Sequence, residues 1–171
     1  MIDLNIVVDP DQGWNDPRIY TNQDLHDREL EDGFERARRF LASDSQLPKP
    51  GSFVQPYMAE NPVLVVRQRD GSVKVSRNPC QHRRMRICRA DAGTSKTYSC
   101  TYYGWVYDLA GNLINLSLEE QAHRNEIERS EGGALKVPQI ANYRSFPFGT
   151  RLEAQMQEPN RVPVAALIGK A

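Results

Sequence analysis

Two short segments constrain this 171-residue chain more than anything else in it: Cys80-Gln81-His82 and Cys100-Thr101-Tyr102-Tyr103-Gly104-Trp105. One residue separates Cys80 from His82, two separate Cys100 from Tyr103, and 17 lie between His82 and Cys100. Spacers that short let a single tight loop present both of its side chains together. The intervening stretch suits a hairpin that brings the two loops face to face, so the chain needs a β framework with both loops at one end. Three cysteines (Cys80, Cys88, Cys100) are an odd number for a disulfide framework. With no secretory context, metal binding is the first reading for cysteines near histidine.

Composition excludes several functions. Twenty-two Lys and Arg balance 22 Asp and Glu, so the formal charge is zero. Neither a generic nucleic-acid binder nor a protein of anionic membrane surfaces is expected. No apolar run approaches the ~18 residues of a membrane span. The stretch Met1 to Pro10 carries Asp3 and Asp9 and no basic segment, unlike a signal peptide. A cytoplasmic protein is expected, and the length suits one domain with a peripheral arm.

Along the chain, Asp9-Pro10, Gly13 and Asp16-Pro17 punctuate an irregular start. Thr21 and Asp24 resemble a capping box, and Leu25, Leu30, Phe34, Ala37 and Leu41 recur at roughly helical spacing through about residue 41. Prolines at 48, 50, 56 and 62 make Gln46 to Pro62 an extended surface segment. The pattern then turns to β: Val63 to Arg67, a hairpin signal at Asp70-Gly71, and Val73 to Val75. Short strands are expected at Tyr98 to Cys100, Trp105 to Tyr107, Leu113-Ile114, Val137 to Tyr143 and Phe146 to Phe148. Ser117 and Glu120 would cap a charged helix through about Arg129, ended by Gly132-Gly133. The fold class is mainly β, a small antiparallel domain with a helical N-terminal arm. The division is an arm over 1–45, a β domain over 46–150 and a tail over 151–171.

The loops offer the donor types that an iron–sulfur centre needs. A [2Fe–2S] unit is a small rhomb whose ligands come in pairs, and one version holds one iron by two thiolates and the other by two imidazoles. Cys80 and Cys100 would hold the first iron and His82 the outer one. The fourth position is Tyr103. A tyrosine oxygen reaches about 3 Å farther from the backbone than the near histidine nitrogen, by bond geometry. The phenol must also lose a proton whose ordinary pKa is about 10. Three arrangements are open: Tyr103 as a phenolate ligand, three protein ligands with water or a substitute, or an unstable or absent cluster.

From about Pro48 to Phe148 the chain resembles the N-terminal Rieske domain of aromatic-ring-hydroxylating dioxygenase α-subunits. The residues that carry the resemblance are Pro50-Gly51, Asp70-Gly71, Asn78-Pro79-Cys80-Gln81-His82-Arg83, and Met85 through Gly93. It continues in Gly104-Trp105-Val106-Tyr107-Asp108, Gly111-Asn112-Leu113 and Tyr143-Arg144 to Phe148. The resemblance implies a Rieske-type fold and an electron-transfer domain. It would take electrons from a ferredoxin or reductase and pass them toward a mononuclear iron that activates oxygen on an aromatic ring.

Three departures qualify it. The family continues into a large catalytic domain with two histidines and a carboxylate at iron, whereas only His26 and His123 remain here once His82 is assigned. No mononuclear iron and no catalytic residue are therefore expected, and the oxygenase α-subunit would be a partner. Tyr103 stands for the fourth histidine. Arg84 stands where the family usually has glycine, a residue that permits close approach or positive φ.

Weighed beside these, Cys88 reads as a packing residue, and a zinc site of Cys80, His82, Cys88 and Cys100 lacks zinc spacing. His26 and His123 read as solvated helix residues. Arg77, Arg83, Arg84, Arg86 and Arg89 make a basic patch that suits an acidic redox partner or a solvated face. Trp105 would shield the cluster or pack the core, and Asp108 would start the turn to Gly111. The leading function is a Rieske electron-transfer domain. The rivals are a cluster-free interaction module and a truncated oxygenase subunit without independent redox activity.

Overall fold

Val63-Leu64-Val65-Val66 is buried on both faces, which is what an apolar run without polar alternation requires of a strand. The computed structural model describes residues 7–34, 36–117 and 128–150. The chain divides into two compact units between Ala37 and Arg38. In the first, β1 (Val8–Asp9) and β2 (Trp14–Asn15) form an antiparallel ribbon. Helix α1 (Gln23–Arg28) follows and runs on as a π-helical segment, Glu29–Phe34.

Two expectations change in this region. The helix cap is Asn22, whose side chain accepts from the Leu25 N–H at 3.0 Å, and Asp24 lies inside the first turn. The helical segment ends at Phe34, well short of residue 41. Leu41 donates its N–H to Pro147 O and is buried in the second unit. A strand pairing that buries Leu41 outweighs the helical spacing of the apolar residues before it.

The second unit carries β3 (Arg39–Phe40), β4 (Ser52–Val54), β5 (Tyr57–Met58), β6 (Asn61–Arg67), β7 (Val73–Arg77), β8 (Ala92–Thr94), β9 (Tyr98–Ser99), β10 (Val106–Tyr107), β11 (Leu113–Asn115), β12 (Gln139–Tyr143) and β13 (Phe146–Thr150). Every strand pairing is antiparallel. One sheet runs β5-β6-β4-β8 with β7 beside β6, a second is β11-β10-β9, and a third is β12-β13-β3. The mainly β, antiparallel expectation holds. The stretch Gln46 to Pro62 does not stay on the surface, because Ser52, Phe53 and Val54 are all buried in β4. Proline density marks where a helix cannot form, but it does not report burial. Residues 118–127 of the helix expected through Arg129, His123 among them, lie outside the described residues, as does the tail over 151–171; Arg129 itself lies in a turn.

Strand β6 separates two cores. Leu64 and Val66 join Phe53, Cys80, Cys100, Trp105 and Tyr107 in one cluster, while Val63 and Val65 join Val54, Val75 and Leu41 in the other. Alternate residues of a strand point to opposite faces, so one strand serves both. No helix of the described residues is long and apolar enough to cross a membrane. Leu64→Ala, at a buried position on the cysteine side, is expected to cost about 2–5 kcal/mol, read as a lower midpoint in guanidinium unfolding with an unchanged slope.

Candidate metal centre

The two cysteine segments fold into near copies of one loop. Cys80 donates its N–H to Met85 O at 2.8 Å and accepts at its carbonyl from Arg84 N–H at 2.9 Å. Cys100 does the same with Trp105 O at 2.8 Å and Gly104 N–H at 2.9 Å. The fourth residue after each cysteine must then turn left-handed, and both do, Arg84 at φ 59° and Gly104 at φ 65°. Glycine is the ordinary choice there. The first loop therefore holds a long side chain in a conformation made for none.

Hydrogen bonds from distant residues fix the first loop in place. The fully buried Asn78 accepts the Cys88 N–H at 2.9 Å and donates its side-chain N–H to Cys88 O at 2.8 Å. Gln55 donates to the same carbonyl at 2.8 Å. The second loop is the turn between β9 and β10. A Cβ on Gly104 would lie 2.2 Å from Ser117 Oγ, and that hydroxyl donates to Gly104 O at 3.3 Å.

The thiols are dry and the rings beside them are not. Cys80 is 1% exposed and Cys100 3%, whereas His82 is half-buried and Tyr103 is 45% exposed. Burial pushes the Cys80 thiol above its ordinary range. Hydrogen bonds from Tyr107 and from the His82 backbone oppose that rise, and the Cys100 thiol beside it adds to it. Tyr107 Oη lies 3.0 Å from Cys80 Sγ. Burial also raises the Tyr107 phenol, so its hydroxyl keeps its proton and can donate to a thiolate. His82 stacks on Trp105 with ring centres 5.0 Å apart and planes 13° apart, and Tyr103 meets His82 edge-on, also at 5.0 Å. Trp105 is at once core residue and neighbour of His82.

The structure thus brings Cys80 beside Cys100 and His82 beside Tyr103. Cys88 points elsewhere: its thiol donates to Ala90 O at 3.6 Å and packs in the core. Among the described residues no three Cys, His, Asp or Glu side chains converge on a point that a single ion would occupy, which leaves the zinc reading without support. A two-iron unit needs donors in opposed pairs rather than around one point. The buried pair of thiols and His82 fit such a unit, while Tyr103 does not supply the imidazole that would complete it. Asp108 starts its turn as expected, accepting from the Ala110 and Asn112 N–H groups at 2.8 Å. Arg83, Arg84, Arg86 and Arg89 lie exposed around the first loop. Sequence reasoning missed Asn78 and Tyr107, whose partners lie 10 and 27 residues away. Both residues stand in the stretches that carry the resemblance, but neither position there signals its hydrogen bonds.

The chain is similar to known proteins in sequence and in fold. The model of the Rieske [2Fe-2S] domain matches residues 38–147. The chlorobenzene dioxygenase α-subunit of Cupriavidus sp. strain PS12 is 44% identical over 146 residues, covering 85% of this chain and 32% of that protein. A benzene 1,2-dioxygenase α-subunit of Pseudomonas putida is 40% identical over 169 residues, covering 99% of this chain and 36% of its own. Naphthalene 1,2-dioxygenase from Rhodococcus sp. superposes with a TM-score of 0.73 at 32% identity, over 76% of this chain and 30% of that one. The chain spans about a third of the length of the relatives it matches.

The left-handed Arg84 gives a stability prediction. Arg84→Gly is expected to gain about 1 kcal/mol, because only glycine reaches that region at no steric cost. Gly104→Ala is expected to lose more than that, since its new methyl group would meet Ser117. Paired urea or thermal unfolding curves check both signs.

Proposed function

The chain belongs to the Rieske [2Fe–2S] domain family, in the branch of the aromatic-ring-hydroxylating dioxygenase α-subunits, and from that membership we propose that it carries single electrons for an oxygenase. The observation that bears most weight is the pair of matching loops with two buried, neighbouring thiols at their bases. Cys80 and Cys100 would hold one iron, and His82 would bind the outer one on the half-exposed side. A [2Fe–2S] cluster exchanges one electron at a time, and its potential responds to hydrogen bonds at its sulfurs.

The residues around the thiols divide the remaining work. The Tyr107 hydroxyl and the His82 backbone N–H donate to Cys80 Sγ and stabilise negative charge there. Trp105 and Tyr107, both buried, exclude water from the sulfur side. His82 holds the exposed side, where an electron would enter. The four exposed arginines beside that face fit an acidic electron donor of the ferredoxin or reductase type. The electron's destination would be a mononuclear iron in an oxygenase α-subunit. No residue described here has a catalytic role in that reading.

Anaerobic reconstitution of the full chain with iron and sulfide tests the assignment. A [2Fe–2S] visible and circular-dichroism spectrum is expected, lost in Cys80→Ala and kept in Cys88→Ala; loss in both variants alike would sink the ligand assignment. Tyr107→Phe is expected to lower the reduction potential of the loaded protein, because a donor to the thiolate is lost. A redox titration followed by circular dichroism measures it.

A further inference from the structure

The side chain of Tyr103 has the wrong reach for a ligand on this loop. At a tetrahedral metal an imidazole nitrogen binds at about 2.0–2.1 Å, so two bound imidazoles have ring centres about 5 Å apart. A phenol oxygen lies about 3 Å farther from its backbone than the near imidazole nitrogen, so on an unmoved loop it overshoots the point that an imidazole nitrogen would reach. The His82 and Tyr103 ring centres are 5.0 Å apart. The two rings meet as an ordinary edge-on pair, in a space that suits two short arms, and one of these arms is long.

The loop has no slack with which to retreat. Gly104 N–H is bonded to Cys100 O, and Cys100 N–H to Trp105 O. Ser117 Oγ sits where a Gly104 side chain would begin and donates to the Gly104 carbonyl. On its other side Tyr103 meets the Tyr102 ring edge-on at 4.5 Å. Residue 103 is thus held between two rings, on a backbone that its neighbours have fixed.

We infer that Tyr103 does not bind the outer iron: its ring takes the space of the fourth ligand arm and leaves that iron one protein donor short, so position 103 limits how firmly the cluster is held. The inference rests on the Rieske reading of the site. The phenol oxygen then contributes nothing to retention, and a ring of the same size without it behaves alike. An imidazole at the same place fits the 5.0 Å spacing without moving the loop.

Three full-length chains decide it: the natural sequence, Tyr103→Phe and Tyr103→His, each reconstituted anaerobically and passed through a desalting column. Iron and acid-labile sulfide per chain give retention, far-ultraviolet circular dichroism reports folding, and pulsed EPR of the reduced samples counts coordinated nitrogens. The expected result is equal retention in the natural chain and Tyr103→Phe, with several-fold more in Tyr103→His. One coordinated histidine nitrogen is expected in the natural chain and two in Tyr103→His. Loss of the cluster in Tyr103→Phe alone, or a phenolate-to-iron absorption band that this variant lacks, would overturn the inference and make Tyr103 a ligand. Equal retention in all three would overturn it as well, since position 103 would then limit nothing. A folded Tyr103→His chain that holds no cluster would overturn the Rieske reading itself, and the inference with it.

Discussion

Each cysteine closes its own loop with two backbone hydrogen bonds, and the geometry of the metal end depends on that closure. The N–H of Cys80 or Cys100 reaches the carbonyl five residues ahead, and its carbonyl takes the N–H four ahead. A buried peptide group left unbonded would cost about 1–3 kcal/mol, so these bonds hold the loop shape firmly. The sulfur positions are therefore set by backbone, before any side chain is chosen to surround them. The same closure forces a left-handed residue at the fourth place of each loop, which ties the identities of residues 84 and 104 to the cysteines they follow.

Around those fixed sulfurs the two sides of the site obey different rules. On the sulfur side, Tyr107, Trp105, Asn78 and the core residues are buried, and substitution there would open a cavity or strand a polar group. On the ring side, Arg84 and Tyr103 are exposed. Both residues that the resemblance marks as expected departures fall on this side. No buried core opposes a larger side chain there, so such changes can accumulate while the fold stays intact. The outer half of the site is the half that can change without unfolding the domain.

How far the sequence could be read followed from how local each determinant was. Val63 to Arg67 was legible as a strand because its apolar run is local and its burial is two-sided. The ligand loops were legible because their spacing is short. β4 was hidden: three residues between prolines carry no period, and only pairing with β6 and β8 makes them a strand. The helix looked longer than it is because Leu41 has the right spacing but a partner in β13. Asn78 and Tyr107 could not be assigned, since a side chain that bonds across 10 or 27 residues leaves no local trace. The left-handed turn at Arg84 was legible only through the glycine that the resemblance leads one to expect there.

Strand β6 has a consequence for how this domain can vary. Leu64 and Val66 face the cysteines, and Val63 and Val65 face the opposite core. The strand is a party wall with no second layer behind it. Interiors are close-packed and resist compression, so a change of volume against Val65 pushes the wall toward the sulfur side. The two cores cannot drift apart in evolution as separate domains would. A substitution far from the loops, at Val54 or Val75, will be tolerated only when a compensating change appears across the strand. Residues that never approach the sulfur atoms are in this way held to account by them.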